Sequence, residues 1–192
     1  MTRPGENLRV RRTQTLLRGA LVELIEERGF DKVTVGQVTE RAMVSRASFY
    51  RNYRDKYHLV EQIFDEAMAE LLDAADGSRS PLERWVGFFE HIDACHRFYG
   101  ALLGRKGSPW FADRMRTALA SMVTTHLEVP EDGAAAPGPA LVPAVLAAVL
   151  LQSVTWWLEN GRPLPPREIA TRSARLAGAL IAEANGWTAP PR

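Results

Sequence analysis

Cysteine is almost absent from this chain of 192 residues. Cys95 stands alone, so no intrachain disulfide can form, and a reducing cytoplasm is the expected compartment. The opening residues lack an apolar core with a small-residue cleavage site, so no secretory signal is expected. Lysine is scarce as well: Lys32, Lys56 and Lys106 stand among many arginines and alanines, the bias that GC-rich codons produce. There is no glycine-rich phosphate loop, no nucleophile elbow and no metalloprotease motif, so nothing in the sequence announces an enzyme. Charge is missing from Gly133 to Leu158, and Leu141 to Leu151 is apolar throughout, close to the length of a membrane-spanning helix. Pro137, Pro139 and Pro143 crowd the start of that stretch and Gln152, Ser153 and Thr155 interrupt its end. Such a pattern suits a helix buried inside a protein, and no membrane partner is expected.

What charge there is lies unevenly. Residues 1–60 carry 12 Lys plus Arg against seven Asp plus Glu, whereas residues 61–192 carry 12 against 16. A basic N-terminal third is what a phosphate-binding module needs, because cationic side chains release counterions from nucleic acid.

Helix signals run from end to end, with no repeat and no strand pattern, so an all-α chain is expected. After a polar arm, Met1–Val10, a first helix should run from about Arg11 to Arg28 with Leu17, Leu21, Leu24 and Ile25 on one face. Gly29 ends it and Phe30 folds back on the core. Thr34-Val35-Gly36-Gln37 is a capping box flanked by the apolar pair Val33 and Val38, which opens a short helix to about Ala42. After Met43-Val44, Ser45 caps a third helix, Arg46 to about Asn52, and Asp55 caps a long fourth bearing Leu59, Ile63, Phe64, Ala67 and Leu71. Two short helices joined by a tight turn and resting on a longer one make a helix-turn-helix.

Beyond it, Asp76–Arg79 reads as a linker and Ser80-Pro81-Leu82-Glu83 as a second capping box. Helices should then carry Trp85, Phe88, Phe89 and Ile92, and, after a break at Gly104–Gly107, Phe111, Met115, Leu119 and Met122. Val129–Pro139 reads as a loop. The uncharged helix follows and stops at Asn160-Gly161, and a last helix begins near Pro166 and ends at Asn185-Gly186. A boundary near residue 54 divides a helix-turn-helix domain, 1–54, from a helical domain, 55–192.

Across Thr34 to Leu59, with Val44-Ser45-Arg46-Ala47-Ser48-Phe49-Tyr50-Arg51-Asn52-Tyr53-Arg54-Asp55-Lys56 as its core, the chain resembles the TetR/AcrR family of bacterial regulators. Trp156–Gly161 and Arg167–Ala170 resemble the final two helices of that family, which pair across a two-fold axis. The resemblance implies a ligand-responsive repressor that binds palindromic operator DNA as a homodimer through its last two helices, with an N-terminal helix-turn-helix domain and a helical effector-binding domain. Two positions depart from the family pattern: Met43 occupies a turn position where family members often have glycine, and Thr39 one where they often have alanine.

A recognition helix puts its N-terminal residues against base edges, which points to Arg46, Ala47, Ser48 and Arg51. Arg46 is suited to a bidentate contact with guanine and Ala47 to a thymine methyl. Ser45, Tyr50, Asn52, Lys56 and Thr34 are expected along the phosphates or groove wall. For Lys56 the reason is that a cation in the first turn opposes the helix dipole unless an anion joins it. An unidentified small-molecule effector is expected among Trp85, Phe88, Phe89, His91, Phe98, Trp110, Phe111, Met115, Met122 and Trp156, although each is equally a core residue. His91, Asp93, Cys95 and His96 form the one cluster suggestive of metal, but Asp93 faces away from His91 and Cys95, and no fourth ligand is apparent. No cofactor is expected. The alternative reading is a helical small-molecule-binding protein or enzyme without DNA-binding activity.

Overall fold

The computed structural model describes residues 4–73, 80–126 and 141–185. The expected linker Asp76–Arg79 and the loop Val129–Pro139 lie outside the described residues. Within them the chain is helical: α1 (Pro4–Arg28), α2 (Val35–Arg41), α3 (Arg46–Tyr50), α4 (Lys56–Asp73), α5 (Pro81–Ala94), α6 (His96–Leu103), α7 (Pro109–His126), α8 (Leu141–Glu159) and α9 (Pro166–Asn185). A single 3₁₀ turn, Phe30–Lys32, joins α1 to α2.

Three departures from the sequence reading matter. α1 is already helical through residues 4–10, ahead of the expected start near Arg11. The helix bearing Trp85 ends at Ala94, and Cys95 (φ −112°, ψ 23°) starts a new one with no side-chain cap. Finally, the chain clusters into two compact units, Met1–Gly77 with Cys95–Ser108, and Ser78–Ala94 with Pro109–Arg192. Thus α4 and α6 associate with the helix-turn-helix.

In the first unit, Leu17, Leu21, Leu24 and Ile25 of α1 are buried together with Phe30, Val33, Val38, Phe49, Tyr53, Leu59, Val60 and Phe64. Burying each large apolar side chain contributes about 1.5–3 kcal/mol, and this cluster holds α2 and α3 in place. Ion pairs reinforce it at the rim. Arg41 of α2 grips Glu27 of α1 with both terminal nitrogens, at 2.8 and 3.1 Å, and reaches Glu23 at 3.2 Å. Arg97 of α6 donates to Glu26 at 2.8 Å, and the Arg18 guanidinium lies 5.1 Å above the Phe98 ring.

In the second unit α8 packs on α7 and α9, and α5 on α9. Trp157 is fully buried and donates its indole N–H to the Leu164 carbonyl at 2.8 Å. Trp85 likewise donates to the buried Ser173 hydroxyl at 2.8 Å. α8 is long and apolar enough to cross a membrane by length and composition. One side of it, with Leu146, Ala147, Leu150, Val154 and Trp157, is core.

Candidate nucleic-acid interface

The two short helices are set by caps that the sequence encodes locally. The Thr34 hydroxyl accepts from the Gln37 amide at 3.3 Å, while the Gln37 side-chain oxygen accepts from the Thr34 amide at 3.0 Å. Ser45 accepts from the Ser48 amide at 3.1 Å, and Asp55 accepts from the His58 amide at 2.8 Å. Each such cap is worth about 1 kcal/mol. Two further hydrogen bonds close α2 into the turn: Val44 N–H to the Thr39 carbonyl at 2.9 Å, and Met43 N–H to the Glu40 carbonyl at 3.1 Å. This paired arrangement is a Schellman motif, whose third-from-last geometry forces a left-handed residue just past the helix. Met43 is that residue, at φ 52° and 91% exposed.

The turn aims α3 so that its two sides differ sharply. Phe49 and, just beyond, Tyr53 are buried in the core, whereas Arg46, Ala47, Tyr50 and Arg51 face outward. Ser48 and Asn52 are half-buried. The Ser48 hydroxyl lies 3.0 Å from that of Ser45 and accepts from Arg51 at 2.7 Å, and the Asn52 amide donates back to the Ser48 carbonyl at 2.9 Å. The outward set is therefore two guanidinium groups, a methyl and a phenol on one short helix. Among the described residues, the Arg46 guanidinium has no hydrogen bond or ion pair of its own. It lies over Gly36 in the first turn of α2. Nothing in the helix periodicity singled out Gly36, and only its lack of a side chain hints at a close approach.

Lys56 is engaged internally. Its ammonium donates to the carbonyls of Phe30 at 2.7 Å and Asp31 at 3.1 Å, and sits 4.5 and 5.3 Å from the centres of the Phe30 and Tyr57 rings. Desolvation lowers its pKa from the ordinary lysine value, opposed by the charge of Asp31. This contact explains a cation at the start of α4 without a phosphate, since two carbonyl dipoles and two ring faces supply the compensating field.

The residues expected around an effector separate. In the second unit Trp85 stacks on Phe88 with ring centres 4.9 Å apart and meets Phe89 edge-on at 5.2 Å, and Phe89 meets Trp157 at 5.3 Å. Phe111 and Met115 are buried there, and His91, Trp110 and Met122 are half-buried. Phe98 belongs to the first unit, beneath Arg18. Trp156 is 43% exposed, and its neighbour Trp157, which the sequence reading passed over, is the core tryptophan. Asp93 pairs with Arg162, 2.6 Å away.

Comparison with known proteins agrees with this geometry. Residues 17–63, from α1 into α4, match the family model described as bacterial regulatory proteins, tetR family. The transcriptional regulator AcuR of Cereibacter sphaeroides is 34% identical over 123 residues, covering 58% of this chain and 56% of AcuR. The matched chain thus spans little more than half the length of that relative. A TetR transcriptional regulator from Streptococcus agalactiae shares the fold with a TM-score of 0.63 at 19% identity, over 90% of this chain and 97% of that one. The dihydroxyacetone kinase operon activator DhaS does so with a TM-score of 0.62 at 14% identity, over 92% and 98%. Residues 17–63 thus match a tetR-type helix-turn-helix, and the chain shares the all-helical fold of the solved TetR regulator.

Proposed function

We propose that this protein is a cytoplasmic, DNA-binding transcriptional regulator that reads a palindromic operator as a homodimer. The observation that carries the reading is the polarity of α3: its inner side is locked in the core by Phe49, and its outer side offers Arg46, Ala47, Tyr50 and Arg51. A helix fixed in this way fits the major groove, where arginine pairs with guanine and a methyl with thymine. Thr34, Ser45, Ser48 and Asn52 border that surface and would steer the sugar-phosphate backbone.

Dimerisation through α8 and α9 is supported by the apolar side chains they leave in solvent: Leu141, Val145 and Trp156 on α8, and Leu176 and Leu180 on α9. A second copy would cover them and complete a four-helix bundle. The aromatic cluster around Trp85, Phe88 and Phe89 supports an apolar or aromatic effector in the second unit. Such a ligand alters DNA affinity by its preference for one of two dimer states. Repression is the sign we propose, because a dimer seated on promoter DNA excludes other proteins without further contacts. An enzymatic reading has no matching observation.

The test is fluorescence anisotropy with DNA from upstream of the gene, titrated with salt. Six to ten phosphate contacts would weaken binding by about 10³- to 10⁵-fold between 50 and 200 mM salt. Arg46→Ala should lose roughly 1–3 kcal/mol on the preferred duplex and little on unrelated DNA. Equal, weak affinity for every duplex, including those from a genome-wide binding selection, would overturn the proposal. A monomer at micromolar concentration in sedimentation would overturn the dimer.

A further inference from the structure

We infer that Gly36 is a specificity-determining position, acting through Arg46; the inference rests on the reading of α3 as the helix that enters the groove. The first turn of α2 and the first residue of α3 meet at this point. A Cβ built on Gly36 would stand 2.6 Å from one Arg46 terminal nitrogen, 3.4 Å from its guanidinium carbon and 3.7 Å from Nε. One terminal nitrogen of the guanidinium therefore occupies the space that a side chain at position 36 would need, with the guanidinium carbon and Nε in van der Waals contact beside it.

This seat differs from those of the neighbouring arginines. Arg41 is neutralised by Glu23 and Glu27, and Arg51 is tied to the Ser48 hydroxyl. Arg46 has a steric seat and, among the described residues, no charged or hydrogen-bonded partner. Its direction is set by contact with backbone while all five of its N–H donors stay available. Bidentate recognition of a guanine edge demands a planar fork held in one orientation, and the bare α-carbon of Gly36 permits that orientation. Filling the seat would not break the fold. The clash is with the far end of a flexible side chain, and alanine has the better helix propensity. The guanidinium would instead be displaced and address a different position on the groove floor.

The experiment is a selection from a pool of duplexes with a randomised core, using the full-length chain and its Gly36→Ala, Gly36→Ser, Arg46→Ala and double Gly36→Ala/Arg46→Ala variants. Far-ultraviolet circular dichroism confirms that each is folded. Wild type should enrich a two-fold symmetric motif, and Arg46→Ala should lose about five- to 100-fold of discrimination at one base pair per half-site. Gly36→Ala and Gly36→Ser should shift preference at that same base pair and nowhere else. The double variant should match Arg46→Ala alone, since the substituted glycine then has nothing to displace. If both glycine variants select the wild-type motif with unchanged preference while Arg46→Ala loses it, this inference fails and the reading of α3 stands. If Arg46→Ala also selects the wild-type motif, or no variant enriches any sequence, the reading of α3 itself fails and takes the inference with it.

Discussion

Replacing Met43 with glycine should make the protein more stable, although it removes a large side chain. The residue sits at the left-handed position of the Schellman motif that ends α2, with φ 52°. For an L-residue that conformation costs about 1–2 kcal/mol, which glycine does not incur. Truncation forfeits almost no burial, because Met43 is 91% exposed. Against the gain stands the larger entropy of glycine in the unfolded chain, about 0.5–1 kcal/mol. The net expectation is a stabilisation of about 0.5–1 kcal/mol, or roughly 2–4 °C in Tm for each kcal/mol in a chain of this size. The assay is urea unfolding followed by circular dichroism, with Met43→Ala and Met43→Val alongside. Alanine keeps the Cβ and should stay near wild type, while the branched valine should be destabilised. α8 ends in the same motif, with Arg162 N–H bonded to the Trp157 carbonyl at 2.8 Å and Gly161 at φ 72°. Gly161→Met should therefore lose about what Met43→Gly gains. A glycine variant at 43 no more stable than wild type, with an unchanged denaturant slope, would refute the strain argument.

Other substitutions probe single contacts. Ser173→Ala strands the buried Trp85 indole N–H and should cost about 1–3 kcal/mol by thermal or chemical unfolding; a neutral result would mean that the indole finds another acceptor. Lys56→Gln should lower stability by about 1–2 kcal/mol through its lost charge-assisted bonds yet leave the salt slope of DNA binding unchanged, whereas loss of a true phosphate contact would reduce that slope by about 0.9. Glu27 has its pKa lowered, chiefly by the hydrogen bond from Arg41. Its folded-state value thus lies below the unfolded one, so the contribution is complete above the unfolded carboxylate range and vanishes as pH falls through the folded value. Arg41→Gln should accordingly flatten the loss of Tm below about pH 5, and parallel acid profiles for the two proteins would rule that contribution out.

The helix-turn-helix was legible because its punctuation is local. Thr34, Ser45, Asp55 and Ser80 each cap within three residues, and Gly29 and Gly161 adopt the positive φ that their positions as helix stops imply. The start of the last helix was equally plain, at Pro166. What escaped depends on contacts distant in sequence. No glycine or proline marks the break at Cys95, and the chain turns there to lay Phe98, Tyr99 and Leu102 in the core of the first unit against α1. Lys56 looked like a free cation because its acceptors lie 25 and 26 residues away. Trp156 and Trp157 cannot be ranked by periodicity in a helix that is apolar nearly all round; only the partners of α8 decide which is buried.

That last pair has a practical consequence. Adjacent indoles on α8 stand in opposite surroundings: Trp157 is sealed and bonded to a carbonyl, and Trp156 is open to water. Emission from the first reports whether the second unit is intact, and iodide quenching of the second reports whether anything covers α8. Because the chain holds five tryptophans, each signal is read as the difference in emission between wild type and a Trp156→Phe or Trp157→Phe variant, so that folding and self-association can be followed by light at concentrations far below those at which sedimentation resolves them.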